Sequence, residues 1–275
     1  MIICGALLPP RKLSTMSVNK LAAVAVLSSF PLSSCSTPDS EHDASVEYLV
    51  PEIVSTHPFD ETSFTQGLEV DGDELIIGTG QYGTSRIYRS TVDGQESVSQ
   101  SLDREFFGEG ITRFNDVVWQ LTWNEGVAFK RNATTLDELD RVSYEGEGWG
   151  ICSTQDALYT TDGSSTITVR DPETFEATDT INVTLEGTPV ESLNELECVD
   201  GSIYANIFLD TDIVRINPDS GTITAVIDAS NLPNNALPDA NNVLNGIAHI
   251  PDTDRFYLTG KRWPDLYEVK FVPAG

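Results

Sequence analysis

Phe64-Thr65-Gln66-Gly67-Leu68 returns in altered form as Phe107-Gly108-Glu109-Gly110-Ile111, Gly148-Trp149-Gly150-Ile151, Leu193-Asn194-Glu195-Leu196-Glu197 and Leu244-Asn245-Gly246-Ile247-Ala248. The five segments recur roughly every 40 to 50 residues, the period of a propeller blade. Each is followed, after a turn, by a second apolar run ending in polar or aromatic residues: 75–80, 119–123, 158–162, 203–208 and 256–261. Third runs follow at 85–89, 166–170, 212–216 and 266–270. From Val46 onward these runs are β-branched or aromatic, separated by Asp-Gly, Asn-Asp and Pro-Asp turns, with no sustained helical period. The expected fold is therefore all-β, a five-bladed β-propeller. The echoes preserve residue identity and not only alternation, which favours a propeller over a β-sandwich with evenly spaced turns. The fifth repeat ends after its third strand, so an N-terminal strand near residues 48–56 is expected to complete it and close the ring, hiding sheet edges.

The chain has 43 acidic against 16 basic residues, a formal charge of −27. A nucleic-acid binder needs clustered cations to displace phosphate counterions, so DNA and RNA are excluded as partners. A mean hydropathy of −0.17 and a single apolar run rule out a multi-span membrane protein. The 23 aromatic residues and many β-branched ones supply a core, which argues against disorder.

That single apolar run lies at residues 21–27, after Arg11, Lys12 and Lys20 and with no acidic residue before position 35. It is too short to span a bilayer comfortably and reads as a cleaved signal peptide, residues 1–34, with Met1 or Met16 as its start. Leu32-Ser33-Ser34-Cys35 resembles a bacterial lipobox, making Cys35 the expected lipid attachment. Residues 35–45 read as a flexible tether and 46–275 as the propeller domain. The expected location is extracytoplasmic, on a bacterial membrane. Cys152 and Cys198 remain beyond the anchor, and the sequence leaves open whether they pair or stay free.

Several motifs drop out on context. Gly78-Thr79-Gly80-Gln81-Tyr82-Gly83 fits the dinucleotide fingerprint, but a strand follows it where a helix is required. There is no Walker A, His-Glu-x-x-His or Gly-x-Ser-x-Gly, and His42, His57 and His249 form no metal-ligand cluster. Two glycosylation acceptor patterns, at Asn132 and Asn182, read as chance in a lipobox-bearing chain.

In order along the chain, the five echoes, with Thr122-Trp123 and Thr259-Gly260-Lys261-Arg262-Trp263-Pro264, resemble the plant and bacterial type of glutaminyl-peptide cyclotransferase, or glutaminyl cyclase. The resemblance runs from about residue 57 to 269. It implies a five-bladed propeller, unrelated to the zinc-dependent animal enzymes, that converts an N-terminal glutamine of a peptide or protein to pyroglutamate with release of ammonia. It places the catalytic acid at Glu109, with Lys261 and Asn194 polarising the amide oxygen. Phe107, Trp123 and Trp149 match the substrate-pocket aromatics, and Gln66, Asn206 and Asn245 would add polar contacts. Where the plant pattern has a tryptophan, this chain has Phe208, an aromatic face without the indole donor. No metal or cofactor is expected in catalysis, a structural ion in the channel is left open, and the protein is expected to act as a monomer. Beside this stand two alternatives: a non-catalytic extracellular binding scaffold, and a propeller hydrolase resembling the lactonases, for which Asn194 and Asn245 are possible metal ligands.

Overall fold

The computed structural model describes residues 45–275; the expected signal peptide, Cys35 and nearly all of the tether lie outside them. Among the described residues there is no helix and the secondary structure is entirely strand. β1 (Glu47–Pro58) comes first. Two meanders follow: β2 (Thr65–Asp71), β3 (Glu74–Thr79), β4 (Arg86–Thr91) and β5 (Glu96–Ser101), then β6 (Gly108–Phe114), β7 (Val117–Thr122), β8 (Val127–Asn132) and β9 (Glu138–Ser143). The third comprises β10 (Ile151–Ser153), β11 (Leu158–Thr160), β12 (Thr166–Arg170) and β13 (Ala177–Asn182), followed by a small hairpin, β14 (Thr184–Leu185) and β15 (Thr188–Pro189). Then come β16 (Leu193–Val199), β17 (Ser202–Ile207), β18 (Asp212–Ile216) and β19 (Ile223–Asp228), and finally β20 (Leu244–His249), β21 (Arg255–Gly260) and β22 (Asp265–Pro273).

Within each meander consecutive strands pair antiparallel. The last meander has three strands of its own, and β1 supplies the fourth, pairing antiparallel with β22 from Leu49↔Pro273 to Pro58↔Asp265. The start of β1 also runs parallel to β19, joining the last two meanders into one eight-stranded sheet. The first strands, β2, β6, β10, β16 and β20, neighbour one another in cyclic order, β20 returning to β2.

Apolar side chains fill the spaces between successive meanders. Ile76 and Ile87 of the first pack with Ile111 and Val118 of the second, and Trp119 and Leu121 of the second with Ile151 and Leu158 of the third. Leu68 and Ile77 meet Ala248 and Leu266 across the join of last and first. Each fully buried Leu or Ile contributes about 1.5–3 kcal/mol, so every meander is held by two neighbours and none could keep its core alone. A disulfide, Cys152–Cys198, ties β10 to β16 with a Cα–Cα distance of 5.5 Å, deciding a question the sequence leaves open.

A second repeat lies on the outer strands. Arg131 donates to the carbonyl of Leu136 and Arg170 to that of Phe175, across turns in which Asn132 and Asp171 cap the following backbone amides. Leu136 and Phe175 both have positive φ, 58° and 67°, so each arginine satisfies a carbonyl that the turned backbone leaves without a strand partner. The fingerprint-like segment 78–83 joins β3 to β4 as a turn, as its context requires.

Candidate active site

The first strands carry the polar residues of the echoes, and the backbone itself aims them. The register with the second strand slips between Thr65 and Gly67, between Gly108 and Ile111, between Leu193 and Leu196, and between Leu244 and Ile247. These bulges hold Gln66, Glu109, Asn194 and Asn245. A bulge inserts an unpaired residue and re-aims its side chain, so one local device repeated around the cycle turns four polar groups toward the centre. The glycines of the echoes have a steric cause. A Cβ on Gly67 would lie 2.6 Å from the amide nitrogen of Ile111, and one on Gly110 would lie 2.7 Å from the carbonyl oxygen of Trp149. Neighbouring first strands come too close there for any larger residue.

Above the bulges lies a cavity of about 250 Å³. Its floor is Gln66, Glu109, Asn194 and Lys261, and its walls are Phe64, Phe107, Trp123, Trp149 and Phe208, with Gln81 and Asn241 at the margin. Phe107 stands edge-on to Phe64 and Trp123, with centroids 6.2 and 5.5 Å away, and Trp149 stands edge-on to Phe208 at 5.4 Å. One oxygen of Glu147 accepts both indole N–H groups, from Trp123 at 2.7 Å and from Trp149 at 2.9 Å. Glu125 accepts from the Tyr82 hydroxyl at 2.8 Å and from the Phe107 amide at 3.3 Å. Two carboxylates thus hold the aromatic slot in shape from outside.

Glu109 is buried and accepts a hydrogen bond from Gln66 Nε2 at 2.9 Å. Burial pushes its carboxyl well above the usual range; the Lys261 charge opposes this, while Glu125 and Glu147 reinforce it. Lys261 is buried too, with its ammonium 5.0 Å from the Phe64 centroid and 4.7 Å from that of Phe208. Loss of solvent lowers its pKa to about 8, against the attraction of Glu109. An acid raised and a lysine lowered toward neutrality in one water-poor pocket are the groups that proton transfer requires.

The structure gathers Glu109, Lys261, Asn194, Gln66, Phe107, Trp123, Trp149 and Phe208 around this cavity. It does not bring Asn206 and Asn245 into the wall of this cavity. Asn206 Oδ1 accepts the Gly246 amide at 3.2 Å, and Asn245 Nδ2 donates to Thr65 O and to Gln66 Oε1, both at 3.0 Å. One end of each side chain is thus bonded to a neighbouring strand, while Asn206 Nδ2 and Asn245 Oδ1 have no partner among the described residues. Sequence reasoning missed Phe64, although it opens the first echo. It also missed Gln81, whose φ of 101° marks a strained turn between two glycines, and Asn241, from the long 229–243 loop. Glu69, Glu195 and Glu197 were missed as well. They accept first-strand amides of Arg113, of Leu68 and Ile247, and of His249, groups that have no strand partner there. Burial pushes Glu69 up to about 7 and Glu195 and Glu197 well above the carboxylate range.

Fold and cavity together define an all-β protein with a buried acid of raised pKa under an aromatic slot. The profile of a family described as glutamine cyclotransferase matches residues 26–271. The chain is 34% identical to a glutaminyl-peptide cyclotransferase of Arabidopsis thaliana over 229 residues, covering 81% of this chain and 72% of that one. It superposes on the crystal structure of Myxococcus xanthus glutaminyl cyclase with a TM-score of 0.80 at 33% identity, covering 84% of this chain and all of the other. The chain belongs to the glutamine cyclotransferase family.

Proposed function

We propose that this protein is a glutaminyl-peptide cyclotransferase, acting on peptides or proteins that begin with glutamine, with Glu109 as its general acid and base. The observation that carries the reading is the placement of a buried carboxyl between Gln66 and Lys261 on the floor of an aromatic cavity. The glutamine side chain enters the slot between Phe107, Trp123, Trp149 and Phe208. The neutral α-amine attacks the side-chain amide carbon, and Glu109 takes the proton that the nitrogen loses as the ring bond forms. Lys261 and Asn194 stabilise the negative charge on the amide oxygen. Glu109 then returns the proton to the amide nitrogen, the carbon–nitrogen bond breaks, and ammonia leaves with pyroglutamate behind. One carboxyl serves both transfers, and the step needs no cofactor.

The cyclic order of the first strands and the pairing of β1 with β22 support reading the five four-stranded units as blades of a five-bladed propeller closed by its N-terminal strand. We read the whole as a monomeric extracytoplasmic lipoprotein, residues 46–275 being the catalytic domain, held at a bacterial membrane through Cys35 and the 35–45 tether. Radiolabelled palmitate incorporated into the wild type but not into Cys35→Ala supports the anchor; equal labelling excludes it.

The activity is tested by incubating the protein with Gln-initiated and Asn-initiated peptides and following ammonia release and peptide mass. Cyclisation of the Gln peptide no faster than in buffer removes the enzyme reading and leaves a binding scaffold. Glu109→Gln is expected to lower kcat by about 10²–10⁴-fold, the usual worth of a general acid–base group. Full activity in that variant removes the carboxylate assignment while leaving the family membership untouched.

A further inference from the structure

Asn245 lies one layer behind the cavity and carries an unusual burden. Its Nδ2 donates to two acceptors, Thr65 O and Gln66 Oε1, both at 3.0 Å. Its Oδ1 is buried and has no hydrogen-bond partner among the described residues. A buried orphan acceptor is destabilising, so this arrangement persists because the alternative is worse. The alternative is Asn245 turned over. That would set Oδ1 against Thr65 O, and a backbone carbonyl can only accept. Thr65 O therefore decides which end of Asn245 faces Gln66. The amide group of Asn245 in turn requires Gln66 to show it an oxygen, which leaves Gln66 Nε2 facing Glu109 Oε1 at 2.9 Å.

We propose that Asn245 is a positioning residue that fixes which end of the Gln66 amide faces Glu109. The proposal rests on the reading of Glu109 as the proton-transfer group. A Glu109 carboxylate is well served by the Gln66 donor. A protonated Glu109 would prefer Gln66 inverted, so that Gln66 Oε1 accepts from the acid. Inversion would press the Gln66 NH₂ against that of Asn245, and it is blocked. Asn245 thus withholds a hydrogen bond from the protonated acid and keeps Glu109 easier to ionise than its burial alone would allow. The other charged or titratable groups acting on Glu109 are Lys261, which favours the carboxylate, and Glu125 and Glu147, which disfavour it; the hydroxyls of Tyr82 and Tyr144 also lie within its field. None of them bonds to the Gln66 amide, whose side-chain partners are Glu109 on one end and Asn245 on the other.

The test is a double-mutant cycle on the full chain with Asn245→Leu, Gln66→Leu and both together. The Glu109 carboxyl stretch, assigned by difference from Glu109→Gln, is titrated by infrared spectroscopy, and the acid limb of kcat/KM is recorded beside it. Asn245→Leu frees Gln66 to invert and is expected to raise the Glu109 midpoint by about one pH unit, tenfold in proton affinity. In the Gln66→Leu background the same change is expected to shift nothing further. An unmoved midpoint in folded Asn245→Leu overturns the proposal, as does an equal shift without Gln66. Should Asn245→Leu fail to fold, Asn245→Ser, which keeps a shorter donor, is read the same way and is expected to shift the midpoint by a smaller amount. The infrared midpoint needs no turnover. An inactive wild type would therefore count against the proposed function while this titration still decided the role of Asn245.

Discussion

Replacing Lys261 by methionine should make the protein more stable while disabling it. The lysine is 4% exposed, and burial lowers its pKa from 10.5 to about 8. At 1.36 kcal/mol per pH unit, holding the charge in the folded state at pH 7 costs about 3 kcal/mol. Methionine keeps an apolar stem of similar reach and removes the charge. It also forfeits the placement of an ammonium over Phe64 and Phe208, worth about 1 kcal/mol, so the net gain is about 2 kcal/mol. For a domain of this size that corresponds to a rise in Tm of roughly 4–8 °C. The gain must depend on pH in a definite direction. Between pH 8 and 10.5 the unfolded lysine holds a proton that the folded one has released, so wild-type stability climbs with pH and the advantage of methionine shrinks. Urea unfolding of both proteins at pH 7 and pH 10 measures this difference. A variant less stable than wild type at pH 7, or a gain that persists undiminished at pH 10, refutes the reasoning. Under the proposed mechanism turnover should fall by about 10²–10³-fold, the usual loss on removing a donor to a developing oxyanion.

Two further outcomes follow from the buried groups. The Cys152–Cys198 bridge closes a separation of 46 residues, for which loop-closure entropy gives about 4 kcal/mol. A Cys152→Ala/Cys198→Ala variant should melt roughly 8–16 °C lower, and calorimetry of wild type under reductant should match it. On the first strands, Glu69, Glu195 and Glu197 all have folded pKa values above the unfolded one, so the folded chain binds more protons there. Their contribution is full below about pH 4.5 and is lost as pH rises through the folded values, near 7 for Glu69. Glu197→Gln should therefore lessen the fall in Tm between pH 5 and pH 8, and an unchanged slope would count against a raised pKa at Glu197.

The echoes were readable because four of the five arise from one recurring event, a first strand that bulges beside its neighbour. The bulge needs a residue to re-aim and the close passage needs a glycine, so both leave marks at a fixed spacing. Gln66-Gly67 and Glu109-Gly110 carry both marks, and the cavity floor follows from them. The arginine repeat was present in the same sequence and went unnoticed. Its meaning lies in a carbonyl five residues away, at Leu136 or Phe175, whose positive φ no local pattern announces. The β14–β15 hairpin and the 229–243 loop have no apolar alternation to betray them, so Asn241 could not be placed at the cavity. Pairing of Cys152 with Cys198 required knowing that β10 and β16 are neighbours, which follows only once the meanders are set in cyclic order.

Asn194 and Asn245 mark the deeper limit. Both lie within the same kind of slip in register, and both were expected to face a substrate. Asn194 lines the cavity, whereas Asn245 is turned to Thr65 O and Gln66 Oε1 on the adjacent first strand. The difference is made by the neighbour. Gln66 is long enough to occupy the centre and needs a partner behind it to hold its polarity, and Asn245 is the polar group within reach. A bulge thus specifies that a side chain turns inward, while the side chain one strand away determines whether it meets the substrate or supports a residue that does. Function in such a ring is assigned by pairs of strands, and a reading of one strand at a time recovers the positions before it recovers their roles.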